Sequence, residues 1–213
     1  MPLKLMYITN RPDVAKIAEK NGVDRIFVDM EYIGKAERQG KMDTVQNHHT
    51  IEDVKNVRAV LNKAELLVRI NPIHEATEEY CSSKEEIDAV IEAGADMIVC
   101  TGGMSVDPDD KTPLAIRNVC GGVVTYGAPV LPGAMFLLAY YEVKEGPHPR
   151  TVAIMGLPGC VMYARRTIFD LVLPHVMADD EVTAQDLAAL GEGGLCLNCP
   201  VCTFPNCGFG KGH

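Results

Sequence analysis

Four short apolar runs, Leu5–Ile8, Ile26–Val28, Leu66–Ile70 and Met97–Val99, alternate with amphipathic stretches along the first hundred residues, and this alternation restricts the fold most. Each run is partly β-branched and bounded by polar turns, as buried parallel strands are. Between them, Val14, Ile17 and Ala18 share a helical face, with Asn10 as the cap, Pro12 in the first turn and Gly22 past the end. A second helix opens at Thr50 and Asp53 and repeats Ile51, Val54, Val57 and Leu61. A third opens on a Ser83/Glu86 capping box and carries Ile87, Val90 and Ile91 before Gly94. Strand, helix, strand in repetition requires right-handed crossovers. The expected class is α/β, a three-layer αβα arrangement on one mainly parallel open sheet.

After Val99 the chain turns rich in Gly and Pro. Helices are expected at 113–120, 133–141 and 160–177, with Pro174 kinking or ending the last, and strands at 123–126 and 151–155. From Gly191 the chain is rich in Gly and Cys with little to pack. The expected parts are therefore 1–99, 100–190 and a tail, 191–213.

The net charge of -9 and pI near 5.1, spread evenly along the chain, exclude a sequence-independent grip on nucleic acid or an anionic membrane. An anionic ligand must be held locally. No apolar run reaches the roughly 18 residues of a membrane helix, and Met1-Pro2-Leu3-Lys4 does not open like a secretory signal, so the expected location is cytoplasmic.

Thr101-Gly102-Gly103-Met104-Ser105-Val106-Asp107-Pro108-Asp109-Asp110-Lys111-Thr112-Pro113 runs off an expected buried strand into an expected helix. Gly102 and Gly103 let backbone amides approach a ligand, Ser105 offers a hydroxyl, and Thr112 before Pro113 reads as a cap. Such a helix start binds phosphate through amides and the macrodipole without a basic surface. The neighbouring aspartates call for a divalent cation, Mg²⁺, between Asp110 and the ligand.

Asp96–Gly103, Asp110, Thr112-Pro113 and the later turn Gly156-Leu157-Pro158-Gly159 together resemble the molybdopterin-binding domains of molybdenum-cofactor biosynthesis proteins, over residues 95 to 190. The resemblance implies that Thr101, Gly102, Gly103, Ser105, Asp110, Thr112, Pro158 and Gly159 surround molybdopterin or the molybdenum cofactor, with Asp110 as the candidate catalytic carboxylate of a transferase-like step. It supports binding ahead of adenylylation or metal insertion, because Cys160-Val161 stands where the family has a polar residue and proline. The implied partners are the pterin, a second copy of the chain, or a molybdoenzyme.

Residues 1–99 resemble another family, the HpcH/HpaI-type aldolases and citrate-lyase-like barrels. The matching pieces are Gly22-Val23-Asp24, Val28-Asp29-Met30-Glu31, Leu67–Pro72 and Glu92–Asp96. On that resemblance the first half is half a TIM barrel, Arg69 is the catalytic group that holds a 2-oxo acid, and the alternative activity is a metal-dependent carbon–carbon lyase. Tyr32 stands where that family has a histidine, leaving the paired His48 and His49, more ordinarily solvated, as substitutes in the long polar connection from Tyr32 to His49.

Four of the eight cysteines, Cys196, Cys199, Cys202 and Cys207, fall within twelve residues, a density that suits one zinc ion or an iron–sulfur cluster. Met6, Met30, Met97 and Met155 read as core filler, Cys100 and Cys160 as small buried hydrophobes, and Arg165-Arg166 as a solvated helix face.

Overall fold

The computed structural model describes residues 3–35, 47–72, 74–78, 81–105, 107–108, 110–144 and 149–211. The chain divides into two compact units, Met1–Gly94 and Ala95–His213.

The first unit holds β1 (Met6–Ile8), α1 (Pro12–Lys20), β2 (Arg25–Asp29), α2 (Ile51–Arg58), β3 (Glu65–Arg69) and α3 (Ser83–Glu92). Its sheet runs β1-β2-β3, all parallel, with Ile26 opposite Tyr7 and Leu66. Ile26 and Val28 meet Ala15, Val54 and Val57 from the helices to form the core. α2 begins on the expected Thr50/Asp53 capping box. α3 begins one residue earlier than expected, on Ser82 and Glu85. Glu86 is instead buried, where it accepts hydrogen bonds from the backbone and side-chain nitrogens of Asn71 at 3.2 and 2.9 Å. The cap of α1 is Arg11 rather than Asn10.

The second unit holds β4 (Met97–Thr101), α4 (Thr112–Cys120), β5 (Thr125–Tyr126), β6 (Leu137–Val143), β7 (Arg150–Leu157), a 3₁₀ turn (Gly159–Met162), α5 (Ile168–Met177), α6 (Ala184–Ala189) and a second 3₁₀ turn (Leu190–Gly193). Its sheet order is β4-β7-β6-β5: β4 runs parallel to β7, while β6 runs antiparallel to both neighbours. Phe136, Leu138, Met155, Ile168 and Leu187 are fully buried in its core.

Parallel pairings, three of the five among the described strands, predominate in open sheets with alternating βα units, so the class is α/β, consistent with three layers. Five details differ from expectation. The described strands form two sheets rather than one, and β4 belongs only to the second. The helix expected at 133–141 is replaced by β6: Leu137, Leu138 and Ala139 are buried in succession, as a central strand requires, and Tyr140, Tyr141 and Val143 favour extended backbone. The helix expected at 160–177 is broken, because Thr167 and Asp170 form a capping box that starts α5 afresh, and α5 accommodates Pro174 and ends at Met177. The segment from Gly191 is packed: Phe209 is buried, Leu131 N donates to Gly194 O at 2.6 Å, and Cys196 N donates to Leu131 O at 2.8 Å. Met30 and Met155 are buried as expected, but Met6 is half exposed on edge strand β1.

Candidate functional site

The segment after β4 is shaped by its two glycines. Gly102 and Gly103 adopt φ of 81° and 58°, in the left-handed region that side chains disfavour. A Cβ on Gly103 would stand 2.9 Å from Thr112 Oγ1, whose hydroxyl donates to Gly102 O at 2.8 Å. Thr112 is therefore the first residue of α4 rather than its cap; Lys111 takes the cap position and supplies no side-chain hydrogen bond. Ser105 N donates to Asp110 Oδ2 at 2.7 Å, and the Tyr126 hydroxyl reaches the carbonyls of Met104 and Ser105 at 3.2 and 3.1 Å. Val106 and Asp109 lie outside the described residues.

Met104 anchors the loop. It is buried, and Gly156 of β7 gives it room: a Cβ there would lie 2.6 Å from its sulfur. Above it opens a hollow of about 650 Å³, within the usual range for small-ligand sites. Gly102, Gly103, Ser105 and Asp110 line one side, and Pro158 and Gly159 another. Thr101 and Thr112 are not on its wall: Thr101 pairs with Leu157 in the sheet, and Thr112 is buried holding Gly102. The sequence reading missed Leu131–Met135 and Leu195-Cys196, which complete the wall. A signal was present, since Leu131-Pro132-Gly133 repeats the tripeptide of Leu157-Pro158-Gly159. Cys160, expected to be buried, lies on the wall as well. Asp110 is its one charged side chain among the described residues.

The tail cysteines line a second, smaller hollow, with Arg165 and Arg166 on the same wall. The arginines are not merely solvated. Arg165 Nη1 donates to Pro200 O at 3.2 Å, and Arg166 pairs with Asp170 at 3.1 Å and stacks over the Phe204 ring. Among the described residues no group of three or more His, Cys, Asp or Glu is placed to hold a metal ion.

In the first unit, a buried polar cluster sits at the carboxyl ends of β2 and β3. Arg69 grips Asp29 through Nε and Nη2 at 2.9 and 2.7 Å and reaches Glu31 at 3.3 Å, while buried Lys35 donates to Asp29 at 2.6 Å. Burial pushes the Asp29 carboxyl up, but the hydrogen bonds from Arg69 and Lys35 outweigh it and hold the group at about 2. His49 is not simply solvated: its Nδ1 accepts the Asp29 amide at 3.0 Å, and burial lowers its pKa. The Arg69 guanidinium, expected to grip a substrate carboxylate, is thus bound to the protein's own carboxylates. Residues 36–46 of the Tyr32–His49 connection lie outside the described residues. No described helix is long and apolar enough to cross a membrane.

Residues 74–178 match the family model described as a probable molybdopterin binding domain. The match takes in both glycine turns and nothing before residue 74, so it supports the molybdopterin resemblance at the level of the family and lends none to the aldolase resemblance of residues 1–99. No curated protein matches the chain.

Proposed function

We propose that the Ala95–His213 unit binds molybdopterin or the molybdenum cofactor, with the phosphate against the Gly102–Ser105 backbone and the start of α4, and the rest of the ligand toward Pro158 and Gly159. The observation that carries this reading is the single hollow shared by the two glycine turns. Its described wall offers no basic side chain, so the anion is met by the backbone amides of the glycine turn after β4. Asp110 has two duties. Oδ2 holds the loop through Ser105 N, and Oδ1 is the oxygen available to a Mg²⁺ ion that offsets the carboxylate's repulsion of the phosphate. When bound, the cofactor would bring its dithiolene and metal chemistry; the protein's own residues would position it and limit its contact with water.

Anaerobic titration with molybdopterin, with and without Mg²⁺, tests the proposal. Binding by the wild-type chain should weaken about tenfold or more in Asp110→Ala, which loses a charge-assisted contact, and in Gly103→Val, whose side chain strains the left-handed turn. Asp110→Asn should keep the Ser105 hydrogen bond yet lose the response to Mg²⁺. Absence of binding by the wild-type chain, or equal affinity in all variants, would defeat the reading. The lyase alternative has no comparable observation in its favour: R69K abolishing pyruvate release from a 2-oxo acid adduct is the result it needs.

A further inference from the structure

The cavity beneath the C-terminal segment has walls unlike those of the pterin hollow. Cys196, Cys199, Cys202 and Cys207 all line it, all four as free thiols. We infer that these four thiolates hold a [4Fe–4S] cluster, a second prosthetic site independent of the pterin reading.

Size separates a cluster from a single ion. Four sulfurs bound to zinc at about 2.3 Å would be drawn to one point. The cysteines instead surround about 110 Å³, while about 10–15 Å³ suffices to admit a water molecule. A polyatomic core fills such a space, with each thiolate meeting a different iron. The spacing agrees: Cys196-x2-Cys199-x2-Cys202 supplies three closely spaced ligands and Cys207 the fourth.

The charges agree as well. Four thiolates outweigh the positive core, and the anionic group that results needs cations and N–H donors around it. Arg165 and Arg166 stand on the wall, and Arg166 interacts with Cys202. Arg166 Nε is buried and has no hydrogen-bond partner among the described residues, a costly state that a cluster sulfur would relieve. Phe209, buried, and Phe204, half-buried, furnish the apolar part of the wall. Assembly requires no oxidant: equal ferrous and ferric iron with matching sulfide gives the core its charge, and each thiol releases its proton on ligation.

The test uses the full-length chain under anaerobic conditions, incubated either with equal ferrous and ferric iron plus sulfide or with zinc alone, then desalted. Iron and acid-labile sulfide should be retained in equal amounts, with broad visible absorption that bleaches on reduction. C199S/C202S changes two exposed positions, so its far-ultraviolet dichroism should be unchanged while retained iron falls about tenfold or more. Arg166→Gln should keep the colour but move the reduction potential negative, because a compensating cation is lost. Retention of zinc with no iron or sulfide, or a cluster indifferent to the double substitution, would overturn the inference. Pterin affinity enters none of these measurements, so failure of one site leaves the other standing.

Discussion

Asp29 is the residue whose environment has the clearest consequence. Its carboxylate receives Lys35 and Arg69 while almost fully buried, and Asp29→Asn would leave a buried ammonium facing a neutral amide. A loss of about 3–5 kcal/mol in urea unfolding of the first unit is expected. The same group sets a pH dependence. Its folded pKa of about 2 lies below the ordinary 3.8, so the unfolded chain binds the proton more readily, and the contribution is complete above about pH 4 and lost as pH falls through about 2. His49, also lowered, acts in the same direction at higher pH: its contribution is complete above 6.5 and declines as acid protonates the ring that accepts the Asp29 amide. Urea midpoints measured from neutral to acid pH should therefore fall in two stages, and the first should vanish in His49→Gln. Cys100 and Cys120 present the opposite case of a silent pair. Burial pushes both thiols up to about 11, Cys100 with help from Cys120, so both should resist iodoacetamide at neutral pH while exposed Cys199 and Cys202 of the metal-free chain react, as peptide mapping would show.

At the scale of elements, β7 does more than complete a sheet. Gly156 lies between Cys100 of β4 and Leu137 of β6, and its missing side chain leaves the space in which Met104 anchors the loop after β4. Gly156→Ala should displace Met104, lower stability by about 1–3 kcal/mol and weaken pterin binding more than the melting shift alone accounts for; calorimetric titration beside a thermal melt separates the two. The helices and strands of the first unit were legible because amphipathic stretches alternate with short apolar runs bounded by polar turns, down to the Thr50/Asp53 box. β6 was not, since Leu137-Leu138-Ala139 is apolar on every face and a run of that kind has neither helical nor strand period. The first glycine turn could be read because Gly102 and Gly103 take up left-handed backbone that side chains disfavour, while the second was legible from its residues, with no such demand at Gly159. Lys35 could not, for a lysine in a polar connection looks solvated until its partner Asp29 is seen buried. Nor could the part played by Leu195-Cys196, which joins the hollow through long-range backbone bonds that leave no local pattern, whereas Leu131–Met135 left the Leu-Pro-Gly tripeptide it shares with the second turn.

For the molecule as a whole, the hollow is built entirely within Ala95–His213, although the family match opens at residue 74, inside the first unit. A fragment of residues 95–213 should retain the full-length affinity for molybdopterin; a drop of more than about tenfold would show that residues 74–94 contribute to binding as well as to the match. The short parallel bridge between Leu131 and Leu195, continued by the bond from Cys196 N to Leu131 O, has a wider consequence. Leu195 and Cys196 face both cavities, so they form a party wall between the two. A ligand that shifted that wall from one side would be felt on the other, and thermodynamic reciprocity would make the two influences equal in free energy.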